Sequence, residues 1–269
     1  MPLESLLTAT TAVVGLCAAF LIGVSKTGVP GVGLFACLLM ISAFSGREMF
    51  ASGAVVPLLI LGDVAAVWFY RKDCDFKLLR RLFTPVGVGL LGGAAVMCFM
   101  DNAQFKLTVG ILATSILLFE FARKRLGWTQ ISTSAPFRIG CGTLAGLTTM
   151  LGNAAGAVSA AYFASQNLDK RRFMGTNAVF FFVVNVSKIP LLLAATAVKS
   201  NLGFEAADAQ MMNASTFMLT LVFAPGLLVG AFVGRRLYRA IPERFFVPFV
   251  LILNMLTALQ ILISAALSR

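Results

Sequence analysis

Histidine is absent from the chain, and acidic residues are scarce, 11 against 22 lysines and arginines. Without histidine the commonest transition-metal ligand and the ordinary neutral-pH proton carrier are both missing. The five cysteines, Cys17, Cys37, Cys74, Cys98 and Cys141, are odd in number and irregularly spaced, and none forms a CxxC pair. Neither a disulfide framework nor a zinc site is indicated. No Ser/His/Asp set, paired acids or metal cluster exists to perform catalysis, so an enzyme is not expected, nor is a cofactor. Charged residues make up only 12% of the chain, about half the usual share of a soluble domain. In their place stand 59% hydrophobic residues and a mean hydropathy of +0.90. That composition describes one membrane-embedded domain over 1–269. It leaves no length for an ATP-binding or nucleic-acid-binding domain, so any energy must come from ion or substrate gradients. Residues 1–5 carry no basic stretch, and a cleaved signal is not expected.

Apolar runs fall at 6–24, 31–44, 50–70, 82–100, 103–121, 138–151, 154–166, 174–197, 213–235 and 244–267. As helices, 31–44 and 154–166 would be only ~20 Å long against a hydrocarbon core of ~30 Å. Each follows a break in apolar sequence, so 6–44 and 138–166 read as helical hairpins, either re-entrant or reaching across by tilting. The net charge of +11 is not a nucleic-acid footprint, because the basic residues gather in short loops. Sixteen of the 22 lie in 71–81, 122–138, 167–173 and 235–244, and four, Arg47, Lys106, Lys199 and Arg269, lie in opposite-side loops and the carboxyl terminus. The positive-inside rule makes loops 71–81, 122–137, 167–173 and 235–243 cytoplasmic in a cell (inner or plasma) membrane protein. The bias appears only if 138–166 begins and ends on the same side, as a hairpin does.

The two halves repeat. At an offset of 124, Gly28 falls on Gly152, Arg47 on Arg171 and Ala54 on Ala178; at 140, Phe83 and Pro85 fall on Phe223 and Pro225, and Phe105 on Phe245. The extra positions lie in the more polar connection 196–212. The expected fold is an all-α polytopic membrane protein of two inverted-topology repeats, each a broken-helix hairpin plus three transmembrane helices. Repeat one covers about 6–121, a cytoplasmic linker 122–137, and repeat two about 138–267. Three crossings are odd in number, so the second half must enter upside down.

The breaks themselves are Gly28-Val29-Pro30-Gly31-Val32-Gly33 and Gly152-Asn153-Ala154-Ala155-Gly156. Irregular backbone at membrane depth survives only where protein or a water-filled cavity covers it, and paired breaks point to a transporter's binding site. Together with Phe173-Met174-Gly175-Thr176-Asn177-Ala178, followed by Asn185 and Lys188, these residues resemble the sulfite exporter TauE/SafE family of anion permeases over nearly the whole chain. The resemblance implies export or import of sulfite, sulfonates such as sulfoacetate, or related small organic anions.

An anion follows from the residues as well. Helices restarting near Gly31 and Ala154 leave free N–H groups and about half a positive charge at each start. Asn153 is a good N-cap, and Gly28, Gly31 and Gly156 allow close approach to the backbone. If the hairpins enter from opposite faces, their tips meet near midplane and hold an oxyanion between them. Lys26 lies in the first break and Lys188 within 174–197, each costing at least ~2.5 kcal/mol in lipid unless paired or solvated. Lys26 is either a binding group or the partner of Asp63. Asp63 in turn is either a proton-coupling carboxylate or that partner. Thr27 lies beside Lys26; Thr176, Asn177 and Asn185 offer neutral hydrogen bonds, as polar lining or as interhelical glue. Ser25, Ser159, Tyr162 and Gln166 are weaker candidates. The small-residue rows Gly142/Gly146, Gly89/Gly93 and Gly226/Gly230/Gly234 read as helix packing, and Phe180-Phe181-Phe182 as lipid-facing or core side chains. The expected activity is secondary transport of a small anion by alternating access, with H+ or Na+ as a coupling ion. A passive anion channel and an ion-coupled cation permease are the alternatives.

Overall fold

The computed structural model describes residues 8–29, 32–44, 46–125, 134–242 and 244–245. These form ten α-helices: α1 (Ala9–Thr27), α2 (Val32–Ser42), α3 (Glu48–Tyr70), α4 (Phe76–Met97), α5 (Asn102–Arg125), α6 (Ala135–Gly152), α7 (Ala155–Ser165), α8 (Lys170–Asn201), α9 (Ala206–Ala209) and α10 (Ala214–Ala240). No strand occurs among the described residues. The expected segment 244–267 beyond residue 245, and residues 126–133 of the linker 122–137, lie outside them, as does Gly31. Side-chain caps start four of these helices: Thr8 accepts from Thr11 N–H, Asp75 from Leu78, Asp169 from Arg172 and Asn213 from Ser215.

By length and composition α1, α8, α10 and the stretch Glu48–Asp73, which is α3 and the turn after it, can each cross a membrane. The helices after the breaks cannot. α2 and α7 have 11 residues each, or about 17 Å at the α-helical rise. Large apolar side chains face outward, including Trp68, Phe99, Leu221 and Phe232, each around 70% exposed. Such a surface is ordinary against lipid and a liability in water.

The helices gather into two apolar clusters. One holds Ile22 of α1, Met40 of α2, Leu58 of α3 and Leu219, Phe223 and Leu227 of α10. The other holds Leu82, Val86 and Leu90 of α4, Ala145 of α6, Phe163 of α7 and Phe173 and Phe180 of α8. Each hairpin therefore shares a core with a helix from the opposite half of the chain: α1 packs along α10, α4 along α6, and α3 crosses α8.

Small residues make the two long contacts possible. A Cβ built on Gly230 would lie 2.0 Å from the Phe20 carbonyl oxygen, and one on Gly28 would lie 2.1 Å from that of Gly234. Across the other contact, a Cβ on Gly89 would lie 2.0 Å from the Thr143 carbonyl oxygen and one on Gly146 2.1 Å from that of Val86. The glycine rows are packing contacts, as their spacing suggested: Gly89, Gly146 and Gly230 meet backbone, while Gly93 and Gly142 take the Met150 and Pro85 side chains.

One polar side chain departs from its expected place. Lys199, assigned to a loop by its position beyond the apolar run, lies on the last turn of α8 and is wholly buried. Its ammonium donates to the Met100 carbonyl, sits 3.4 Å from Met49 Sδ and covers the Phe204 ring. A carbonyl freed by the turn after α4 gives the charge a partner, so the helix extends past the apolar run.

Gly89→Ala and Gly230→Ala should each cost about 1–3 kcal/mol by overpacking, whereas Gly87→Ala, whose Cβ would meet nothing within 4 Å, should not. Thermal unfolding of the three purified variants in detergent measures the difference.

Candidate functional site

The two backbone breaks approach one another from opposite ends of α3. At the first, Tyr70, the last residue of α3, donates its hydroxyl to the Thr27 carbonyl at 2.6 Å. At the second, the Asn153 amide reaches Ser52 near the start of α3, at 3.2 Å from its hydroxyl and 3.4 Å from its carbonyl. Asn153 ends α6 in the left-handed region, φ 56°, a conformation asparagine tolerates better than most residues. That single turn lets α7 restart at Ala155. Between the breaks, Leu34 packs on Ala154.

A cavity of about 50 Å³ lies where the breaks face each other, several times the ~10–15 Å³ that one water needs. Its lining comes from both halves: Ser25 and Lys26 of α1, Gly33, Leu34 and Cys37 of α2, Leu59 of α3, Thr149 of α6, Asn153, Gly156 of α7, and Asn177, Phe181 and Asn185 of α8. Gly33 and Gly156 are each the second residue of a short helix. The starts of α2 and α7, whose first N–H groups have no partner within their own helix, thus border the same space.

The charges beside the cavity are held by specific partners. Lys26 Nζ lies 2.7 Å from Asp63 Oδ1, with the Asp63 side chain wholly buried and that of Lys26 11% exposed. The ammonium also sits 4.4 Å above the centre of the Phe181 ring. Asn185 donates its amide to Asp63 Oδ2 at 2.7 Å. Lys188 is wholly buried and donates to Asn153 Oδ1, so the second break is tied to α8 by an ammonium. With both lysines protonated and Asp63 ionised, this group of three carries one net positive charge.

The sequence-derived residues therefore divide. Lys26, Asn153, Gly156, Asn177 and Asn185 line the cavity, while Lys188 and Asp63 stand directly behind it on Asn153 and on Lys26 with Asn185. Thr27, Gly28 and Thr176 do other work. The Thr27 hydroxyl donates to the Gly23 and Ala231 carbonyls at 3.0 and 2.6 Å. Gly28 meets Gly234 on α10, and Thr176 accepts from the Asp75 N–H at 3.0 Å, joining the start of α4 to α8. Ser159, Tyr162 and Gln166 bond or stack locally around α7.

Sequence reasoning overlooked Thr149, Cys37, Leu59 and Phe181. Thr149 had a signal, since it lies 124 residues after Ser25 and offers the same hydroxyl from the other half. Phe181 had none: of three consecutive phenylalanines, Phe180 is core and Phe181 lies under the lysine. Among the described residues no group of three or more His, Cys, Asp or Glu side chains is placed to hold a metal ion.

The family profile described as sulfite exporter TauE/SafE matches residues 12–261, nearly the whole chain. The chain belongs to the TauE/SafE family. No curated protein and no solved structure matches it. Membership makes it a multi-pass membrane transporter of the sulfite-exporter type, with the lipid bilayer and a small anion as its partners. TauE/SafE is a transporter family rather than an enzymatic one.

The buried pair gives a direct test of this geometry. Lys26→Met alone leaves Asp63 buried without its counter-charge and should destabilise the protein by about 3–5 kcal/mol. The double variant Lys26→Met/Asp63→Leu should recover most of that loss. Unfolding midpoints of the two variants and the parent in one detergent provide the comparison.

Proposed function

We propose that the protein is a secondary transporter that carries sulfite, a sulfonate or a related small sulfur-containing or organic anion across the cell membrane by alternating access. The carrying observation is the cavity that both half-helix starts and Lys26 border together. Backbone N–H groups at two helix starts and an ammonium are an oxyanion's natural ligands. Ser25, Thr149, Asn153, Asn177 and Asn185 add neutral groups suited to orienting its oxygens, and Lys188 adds positive potential from behind Asn153. Thr27, Gly28 and Thr176 shape the breaks and α8 around the ligand. Asp63 is the counter-charge of Lys26, and it is the carboxylate through which a coupling H+ would act.

The cross-half packing supports the inverted repeat over about 6–121 and 138–267. Exchanging the halves takes α1 to α6 and α4 to α10, so the α1–α10 contact becomes the α6–α4 contact. The α3–α8 crossing maps onto itself. A cavity between two helical bundles of this kind is opened to either side by rocking one against the other. The clustering of basic residues in 71–81, 122–137, 167–173 and 235–243 supports a cytoplasmic location for those loops.

Purified protein should be stabilised against heat by sulfite or small sulfonates and not by divalent cations, and proteoliposomes should take up the stabilising anion. The Lys26→Met/Asp63→Leu variant should stay folded, judged by helical circular dichroism, yet lose uptake by at least tenfold. Stabilisation by divalent cations alone, or full uptake by the double variant, would sink this reading.

A further inference from the structure

Asn185 is 1% exposed, lines the cavity, and spends its amide N–H on Asp63 at 2.7 Å. Its orientation is not free. Asp63 is engaged by Lys26 at 2.7 Å, and an ionised carboxylate only accepts hydrogen bonds. Turning the Asn185 amide over would set its oxygen against a carboxylate oxygen. The Lys26–Asp63 pair thus dictates that Asn185 gives its nitrogen to Asp63 and keeps its oxygen for something else. That oxygen, Oδ1, is fully buried and has no hydrogen-bond partner among the described residues.

We infer that Asn185 is a specificity residue, its Oδ1 accepting a hydrogen bond from the transported anion itself. The inference rests on the anion-transport reading above and narrows it. The rest of the site supplies positive charge and N–H donors, which suit anionic oxygens: Lys26 and the starts of α2 and α7. Asn185 Oδ1 is a buried, unpaired acceptor of fixed direction on a residue of the same wall. A ligand that satisfies both kinds of group is a small monoanion bearing one O–H or N–H beside its charged oxygens. Protonated oxyanions such as hydrogen sulfite fit that description, as do short amino- and hydroxysulfonates. A fully deprotonated dianion or a simple alkylsulfonate leaves the buried acceptor unpaired. A site built around a buried hydrogen-bonding group discriminates strongly against an analogue that lacks the matching group.

The probes are sulfamate and methanesulfonate, near-isosteric monoanions at neutral pH that differ by NH2 against CH3 on the same sulfonate. Calorimetric binding to the purified protein should favour sulfamate by at least tenfold. Asn185→Leu, which removes the acceptor, should bring the ratio to about one. Asn185→Ala, which removes both amide groups and adds no bulk, serves if the leucine variant does not fold. Equal affinities in the parent protein would overturn the inference while leaving anion binding intact, as would a tenfold preference that persists in a folded Asn185 variant. Failure of the parent to bind either anion would overturn both this inference and the anion-transport reading.

Discussion

An ammonium group in the hydrocarbon layer must be solvated, paired or driven to an interface, and here it is paired. The contact between Lys26 and Asp63 joins the first break to the middle of α3, and Asn185 extends it to α8. Lys188 does the corresponding task for the second break through Asn153. In water such contacts are worth little, because both charges are already solvated. In a low-dielectric interior, breaking one strands a charge, so the pair constrains where the break, α3 and α8 sit relative to one another. The shape of the cavity follows from those ties.

The same economy applies to the backbone. Two interrupted helices leave carbonyls and N–H groups that lipid cannot satisfy. Tyr70 supplies a hydroxyl to the Thr27 carbonyl, and Thr27 itself donates back to α1 and across to α10. Asn153 takes the left-handed conformation at the other break and bonds Ser52. The Asn153 and Ala154 N–H groups close on the Thr149 and Thr148 carbonyls, so carbonyls on both breaks are met by protein. The starts of α2 and α7 instead border the cavity.

The cavity also lies between two apolar clusters rather than inside one. Lys26 and Gly33 belong to α1 and α2, which share the cluster of α10, and Thr149 and Gly156 to α6 and α7, which share that of α4 and α8. The cavity thus borders two bodies, one around each cluster. The close glycine contacts of α1 on α10 and α4 on α6 keep each body internally rigid, since backbones at that distance have no room to slide past a side chain.

Much of this was legible from residue order. Hydropathy located the helices because a bilayer demands long apolar runs, and Gly28 and Gly152 marked the breaks because glycine at membrane depth interrupts them. Lys26, Asn153, Asn177 and Asn185 stood out as polar groups in apolar surroundings. Sequence left open whether Lys26 was a binding group or the partner of Asp63, and the fold makes it both a lining residue and a partner. It could not separate Thr176, which holds the start of α4, from Asn177, one residue on, which lines the cavity; adjacent residues on a helix point about 100° apart, and only the neighbours decide which face is which. Nor could it pick Phe181 from its two identical neighbours, or see that Lys199 is buried. Residue order by itself determined a membrane-embedded, twice-broken helical chain, because those properties depend on transfer into lipid and on local backbone freedom. Which polar groups meet across the breaks was decided by tertiary structure alone, since Asp63 and Asn185 are 122 residues apart and come within 2.7 Å only when α3 crosses α8.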